Sequence, residues 1–237
     1  LDRAFAPDAG FLALNPRDRA LVRMMVTTTL RRLGQIDDVV QAAMNADTPP
    51  EPPALSTLLR LSAAQILFME MPDYAAVNIA VNVAEAIGLH RQKGLVNAVL
   101  RRITREGHDY IAGQDSVRTA IPGWMFRDWV RSYGVRTARA IGAAQLTEAP
   151  LDLTVKDPKH AKDWAKQLGA EVLPGGTLRI RHPSGGIDTL PGYAEGAWWV
   201  QDFSASLPVK IMGTIKGKTI FDVCAAPGGK TAQMLSA

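Results

Sequence analysis

The chain has 237 residues, of which 47% are hydrophobic and 21% are charged, a composition typical of one or more folded domains and not of a peptide or a disordered tail. No apolar stretch approaches the length of a membrane span, and the first residues lack the basic and apolar regions of a signal peptide. The single cysteine, Cys224, cannot form an internal disulfide, so we expect a cytoplasmic protein. The net charge of +4 permits a polyanionic partner.

The first 145 residues have the apolar spacing of amphipathic helices almost throughout. Asn15 and Pro16 predict the cap and first turn of one helix, and Gly34 is expected to end it. The proline-rich segment "ADTPPEPPALS" predicts a non-helical connector to the next helix. A further helix is predicted after Pro72 and Asp73. The sequence therefore favours an all-α first domain.

Arginines dominate the basic residues of this helical region. Lys93 is the one lysine before residue 150, whereas lysines outnumber arginines afterwards. The planar guanidinium group suits phosphates and exposed bases, which makes Arg19, Arg23, Arg101 and Arg102 candidates for RNA contacts. On charge alone, these arginines are explained equally well as residues on solvated helix faces. In "GWMFRDWVRSYG" aromatic residues alternate with arginines, and their helical spacing favours core positions over base stacking.

The pattern changes near Pro150. "LDLTVK" and "LRIRH" alternate as strands do, with the helical segment "PKHAKDWAKQLG" between them, which predicts a small β-α-β module. Trp198 to Val200 predict another strand, followed by a helix that contains Leu207. The histidines lie far from one another and from Cys224 in the sequence, so no zinc site is expected; they are His90, His108, His160 and His182.

The segment "GKTIFDVCAAPGGKTAQMLSA" predicts a strand, a glycine-containing turn and a helix, the order in which an α/β nucleotide-binding sheet begins. Such a turn directs free backbone N–H groups at a ligand. The phosphate-loop pattern fits Gly229, Lys230 and Thr231, but Cys224 stands where its first glycine is required. The other candidate ligand is S-adenosylmethionine, held at the carboxyl end of the first strand.

The "CAAPGGK" string resembles the segment that lines the S-adenosylmethionine site in the Sun-type family of RNA (cytosine carbon-5) methyltransferases. The resemblance implies that the cofactor-binding residues are Cys224, Ala225, Ala226, Pro227, Gly228, Gly229 and Lys230. "VQDFSASLPV", with Gln201 and Asp202, is similar to the motif just upstream in that family. The resemblance further implies that small-subunit ribosomal RNA is the partner.

The resemblance extends over the whole chain and implies a multidomain fold. "LRLSAAQILFME", "AAVNIAVNVAEAIG" and "KGLVNAVLRRI" are similar to a NusB-like helical domain, an RNA-binding fold, which we expect over residues 1–145. Residues 146–205 would then form a small α+β subdomain like those that recognise RNA. Residues 206–237 would form the first strand, turn and helix of an α/β Rossmann-like methyltransferase domain. Because the chain starts at Leu1 and stops inside an apolar helical pattern, we expect a piece of a longer protein.

The residues expected for catalysis are absent from this sequence. Carbon 5 of cytosine is a weak nucleophile, and the family adds a cysteine thiolate to carbon 6 before methyl transfer. That cysteine lies in a Thr-Cys motif, with a second in a Pro-Cys motif, and the sequence has neither. Cys224 lies in the cofactor loop, so we assign no catalytic residue and expect this chain alone to be inactive. Two other functions stay open: a non-catalytic RNA-binding factor of the NusB type and a phosphate-loop NTPase.

Overall fold

The computed structural model describes residues 2–69, 71–181, 183 and 186–236. The chain divides into two compact units, Leu1–Glu148 and Ala149–Ala237. His182, one of the four histidines considered above, lies outside the described residues.

The first unit consists of helices, as predicted. They are α1 (Asp2–Phe5), α2 (Ala9–Ala13), α3 (Pro16–Arg31), α4 (Leu33–Met44), α5 (Pro53–Phe68), α6 (Asp73–Ala86), α7 (Lys93–Ala112), α8 (Ser116–Ala120) and α9 (Gly123–Gln145). The side chain of Asn15 caps α3 by accepting a hydrogen bond from the Asp18 N–H at 2.9 Å. No helix among the described residues has both the length and the apolarity to cross a membrane.

Helix α5 forms the centre of the first unit, because it packs against α3, α4, α6 and α7. Its sequence is apolar on several sides, and Leu55, Leu59 and Ala63 are fully or almost fully buried. Ile36 of α4 and Leu100 of α7 belong to the same cluster. Full burial of a leucine or isoleucine contributes about 1.5–3 kcal/mol, so this cluster supplies much of the stability of the unit.

Gly34 lies inside α4 and does not end α3, contrary to the prediction. Helix α3 ends at Arg31 and α4 begins at Leu33. A Cβ atom at Gly34 would overlap the carbonyl oxygen of Thr119 in α8. The glycine therefore permits a close approach between two backbones, which sequence periodicity cannot distinguish from a helix stop.

The prediction that the aromatic residues of α9 are core residues holds for only some of them. Phe126 is buried and Trp129 packs against the same small cluster. Trp124 is 60% exposed and Tyr133 is 61% exposed. Gly134 interrupts the helical geometry, with φ 78° and ψ 161°. Only glycine adopts this conformation readily, so the helical geometry is interrupted at this residue.

The second unit is built on a four-stranded antiparallel sheet with the order β2-β3-β1-β4. Its elements are β1 (Leu151–Val155), α10 (Ala161–Leu168), β2 (Glu171–Val172), β3 (Leu178–Ile180), β4 (Trp198–Val200), α11 (Phe203–Ile211) and α12 (Gly229–Ser236). The strands predicted at 151, 178 and 198 and the helices predicted at 161 and around Leu207 are confirmed. The two-residue strand β2 is an addition that the sequence did not indicate.

The sheet separates two kinds of side chain along β1. Leu153 and Val155 belong to an apolar cluster with Ala165 of α10 and Trp198 of β4. Asp152, the neighbour of Leu153 in the alternating pattern, bonds instead to Arg179 and to the backbone at the start of α11. The sheet therefore has an apolar face toward α10 and a polar contact to α11.

The strand predicted before the glycine turn is not formed. Residues 213–228 contain no helix or strand, although α12 follows the turn as predicted. Phe221 is 87% exposed and Val223 is 92% exposed. A parallel strand is stable only between neighbouring strands, and the four described strands do not pair with this segment. The turn and helix of the expected Rossmann-like start are therefore present without its strand.

Candidate functional site

The predicted cofactor loop is an exposed turn that leads into α12. Cys224, Ala225, Ala226, Pro227 and Lys230 are exposed, and the two glycines between them are half-buried. Gly228 has φ +110°, which L side chains rarely adopt. A Cβ there would meet no other atom within 4 Å, so it is the backbone conformation and not crowding that requires glycine.

The turn is closed by one side-chain hydrogen bond. Thr231 Oγ1 in the first turn of α12 donates to Asp222 Oδ2 at 2.7 Å. This bond joins Asp222, which precedes the loop, to the helix that follows it, and thereby restrains both ends of the loop. Backbone N–H groups in the first turn of a helix lack intrahelical acceptors, so the N-terminus of α12 offers hydrogen-bond donors to an anionic group.

A cleft of about 710 Å³ lies beside this turn. Its lining includes Asp222, Ala225 and Thr231 together with Ile220 and Lys218. Of these five residues, only Ala225 is one of the predicted cofactor-binding residues; the other four lie outside that set. Apolar, cationic and anionic groups line the same cleft, which suits a ligand with both charged and apolar parts.

Helix α12 is attached to α11 through a buried pair of glutamines. Gln201 Nε2 donates to Gln233 Oε1 at 3.0 Å, and Gln233 Nε2 donates to the carbonyl of Ser206 at 3.1 Å. Trp199 Nε1 donates to Gln201 Oε1 at 3.0 Å. Buried amides are stable only when they are hydrogen-bonded, so this chain of bonds fixes α12 on α11. Gln201 was noted in the sequence, whereas Gln233, inside a helical pattern, gave no signal.

Asp202 begins α11 and extends the same arrangement. Its Oδ1 accepts hydrogen bonds from the N–H groups of Ser204 at 2.8 Å and Ala205 at 3.2 Å. An aspartate at this position satisfies donors that the helix leaves free. The Gln201–Asp202 pair therefore has a structural role, because Gln201 holds α12 and Asp202 caps α11.

A buried carboxylate, Asp152, lies on the sheet of the second unit. Asp152 Oδ1 accepts from Arg179 Nε at 2.7 Å, and Asp152 Oδ2 accepts from Arg179 Nη2 at 2.7 Å and from the Phe203 N–H at 2.9 Å. The hydrogen bonds from Arg179 lower the pKa of the Asp152 carboxyl group, the Phe203 N–H lowers it further, and burial opposes both. The ionised pair ties β1, β3 and α11 together.

Lys210 near the end of α11 is partly desolvated. Its Nζ donates to Thr177 Oγ1 at 2.9 Å and lies 5.4 Å from the centroid of the Phe203 ring. Burial lowers the pKa of the Lys210 ammonium group. Among the described residues it has no carboxylate partner.

The four candidate RNA-contact arginines lie on two helices. Arg19 and Arg23 belong to α3, and Arg101 and Arg102 belong to α7. Arg19 is half-buried, with an Nε that has no hydrogen-bond partner among the described residues. The Arg23 guanidinium lies 5.2 Å and 5.3 Å from the ring centroids of Phe5 and Phe11.

The two arginines of α7 differ in how strongly they are held. Arg102 donates to Glu106 at 2.8 Å and to Asn45 Oδ1 at 2.9 Å. The exposed side chain of Arg101 forms one hydrogen bond within the described part of the chain, from Nε to Asn97 Oδ1 at 3.1 Å. Arg102 therefore has a structural role at the end of α4, whereas the terminal nitrogens of Arg101 are available.

Among the described residues, no three histidine, cysteine, aspartate or glutamate side chains form a group that could hold a metal ion.

Residues 2–105 match the model of the NusB family. The chain as a whole is homologous to bacterial proteins named ribosomal RNA small subunit methyltransferase B. It is 32% identical to the one from Xanthomonas campestris and 33% identical to the one from Vibrio cholerae, over 93% and 94% of this chain. A "probable" protein of that name from Synechocystis is 32% identical over 93% of this chain.

The chain spans about half the length of these relatives, 53%, 51% and 53% of the Synechocystis, Xanthomonas and Vibrio proteins. A solved structure, that of PH0851, superposes with a TM-score of 0.58 and 17% sequence identity. The superposition covers 94% of this chain and 53% of PH0851. At this identity the likeness concerns the fold alone.

Proposed function

We propose that this chain is the front part of an S-adenosylmethionine-dependent enzyme that methylates carbon 5 of a cytosine in small-subunit ribosomal RNA. The observation that carries the proposal is the similarity, at about 30% identity over more than nine-tenths of the chain, to proteins named as ribosomal RNA small subunit methyltransferases. The NusB family domain at residues 2–105 supports an RNA partner. A lone cysteine agrees with a cytoplasmic enzyme.

The residues of the glycine turn suit S-adenosylmethionine. Free N–H groups at the start of α12 would hold the carboxylate of the cofactor, and the positive φ of Gly228 leaves the backbone open to a close approach. The cleft beside Asp222, Ala225 and Thr231 has room for a nucleoside. When bound, the cofactor supplies an electrophilic methyl group. Residues 206–237 would then be the start of a Rossmann-like domain, with residues 146–205 as an RNA-recognition subdomain.

In this proposal, different parts of the protein bind the cofactor and supply the nucleophile. Cys224 is exposed within the predicted cofactor loop, where its thiol would face the methyl donor and not the base. The covalent bond to carbon 6 of cytosine would need another cysteine, and this sequence contains none. This chain alone would bind the cofactor weakly and would not catalyse methyl transfer.

RNA would be positioned by the NusB family domain. Arg101 is the strongest of the four arginine candidates, because it is exposed and its terminal nitrogens can reach a phosphate. Arg19 and Arg23 would contact the RNA from α3. Arg102 already bonds to Glu106 and Asn45, and would contribute charge more than a direct contact.

The test is methyl transfer by the protein from the complete reading frame. Tritium from labelled S-adenosylmethionine should enter small-subunit ribosomal RNA at carbon 5 of one cytosine, located by mass spectrometry of nuclease fragments. Asp222→Ala should raise the KM for the cofactor, whereas Asp163→Asn, an exposed change on α10, should not. RNA binding without methyl transfer would contradict the proposal and favour a non-catalytic factor. Protection of the protein by Mg-ATP against heat would favour an NTPase.

A further inference from the structure

A second cleft, of about 230 Å³, lies in the second unit between the sheet and the end of α11. It shares no lining residue with the cleft beside the glycine turn. Lys156 and Lys210 are among its lining residues, whereas none of the described aspartates and glutamates lines it. Sites that hold whole small molecules usually exceed about 300 Å³, so this cleft suits a single charged group, and its lining suits a negative one.

The Lys210 ammonium group is held in place without a counter-charge. Its Nζ donates to Thr177 Oγ1, and no carboxylate of the described residues pairs with it. The lysine side chain lies against the turn before β3, because a Cβ atom at Gly175 would be 3.0 Å from Nζ and 3.2 Å from Cδ. Glycine at this position permits the close approach. A positioned and partly desolvated cation is stabilised by a nearby anion, which opposes the burial that lowers the pKa of Lys210.

Two threonines line the same cleft. Thr154 follows Asp152 by two positions on β1, so its side chain lies on the face of the sheet that contacts α11. The Oγ1 of Thr154 is buried and has no hydrogen-bond partner among the described residues. Thr177 is 1% exposed; its hydroxyl oxygen accepts from Lys210, which leaves its proton for another acceptor. Because an unpaired buried hydroxyl group is costly, both threonines favour a ligand that supplies acceptor oxygens.

We infer that this cleft binds a phosphate group through Lys210, Thr154 and Thr177. A phosphate group carries at least one full negative charge and several acceptor oxygens, which match the held ammonium group, the two hydroxyl groups and the exposed Lys156. A carboxylate has fewer acceptor oxygens for the same donors. The group comes either from free phosphate or from an RNA strand, and neither source requires methyl transfer by this protein.

The experiment is a titration of the isotope-labelled 237-residue chain with inorganic phosphate at constant ionic strength, followed by the amide signals in NMR spectra. The amides of Gly175, Gly176 and Thr177 and those of Thr154 and Val155 should shift and saturate with one dissociation constant, because all five residues line the cleft. Acetate at the same ionic strength should bind more weakly.

Three substitutions test the assignment of these residues. Lys210→Met should weaken phosphate binding about 10- to 150-fold, as loss of a hydrogen bond to a charged group does. Thr154→Val should weaken it about 2- to 10-fold. Without phosphate, Thr154→Val should leave the melting temperature equal or higher, because it removes a buried hydroxyl group that has no partner. Lys166→Met, on the exposed side of α10, is the matched control and should bind phosphate as the unchanged chain does.

Absence of phosphate binding, or shifts confined to other amides, would overturn the inference. Unchanged affinity in Lys210→Met and Thr154→Val, or acetate binding as tight as that of phosphate, would do the same. If Lys210→Met alters the circular dichroism spectrum, Thr154→Val decides.

Fluorescence anisotropy of a labelled single-stranded RNA separates the two sources of the phosphate group. Weaker RNA binding by Lys210→Met than by Lys166→Met would identify an RNA phosphate, and equal binding would identify free phosphate; both results support the site. Methyl transfer by the complete protein tests the proposed function separately.

Discussion

Asp152→Asn should destabilise the second unit strongly. The Asp152 side chain is 2% exposed and accepts three hydrogen bonds, two from Arg179 and one from the Phe203 N–H. Asparagine keeps the shape but replaces one acceptor oxygen with a donor and removes the charge. Removal of one member of a buried ion pair costs about 3–5 kcal/mol, and because Arg179 is 27% exposed we expect a loss of about 2–4 kcal/mol.

The effect should also depend on pH. Arg179 lowers the pKa of Asp152, so the ionised bond contributes fully above the ordinary aspartate pKa of about 3.9 and is lost as the pH falls through the lower folded pKa. The difference between the two proteins should therefore shrink in acid.

Urea unfolding, followed by tryptophan fluorescence at pH 7 and at decreasing pH, measures both effects. Asp163→Asn, an exposed change on α10, is the control and should alter the free energy of unfolding by less than about 0.5 kcal/mol. A loss below about 1 kcal/mol for Asp152→Asn at pH 7, or a difference that grows in acid, would refute the reasoning.

Three further substitutions test the packing. Gly34→Ala should lower the melting temperature because a Cβ there overlaps the Thr119 carbonyl. Gly94→Ala on α7 is the control, because its Cβ would meet open space, and it should leave the melting temperature equal or higher. Equal losses for both variants would contradict the close approach of the two backbones at Gly34. Leu100→Ala should cost about 2–5 kcal/mol in urea unfolding, and a smaller cost would mean that the core collapses around the cavity. Gln233→Ala should increase amide hydrogen exchange in α12 because it removes the hydrogen bonds from this helix to Gln201 and to the Ser206 carbonyl, and unchanged protection would show that other contacts hold the helix.

The sequence predicted the elements whose stability depends on local pattern. The helices of the first unit follow from apolar periodicity, and the strands at 151, 178 and 198 follow from alternation. Gly34 was misinterpreted because its neighbour, Thr119, is far away in the sequence. The prediction of a strand before the glycine turn was wrong, because apolar residues do not form a strand without hydrogen-bonding neighbours.

Part of the candidate site was predictable, because its signal in the sequence is local. The "CAAPGGK" string is a local signal, and the turn and α12 are where it indicates. The bond from Thr231 to Asp222 spans nine positions, and the Gln201–Gln233 bond spans more than thirty, so no short motif contains either. The break in α9 at Gly134 was not predictable either, because the apolar spacing on both sides of this glycine is helical.

The central position of α5 has a consequence for how the first unit folds. Its packing partners α3, α4, α6 and α7 all lie within two helices of it along the chain, so its core contacts join segments close in sequence. Domains with such local contacts lose little loop entropy before native contacts form, and they fold on the order of microseconds to milliseconds. During synthesis on the ribosome, the region that matches the NusB family would then complete its core soon after α7 emerges, before the sheet of the second unit has been translated.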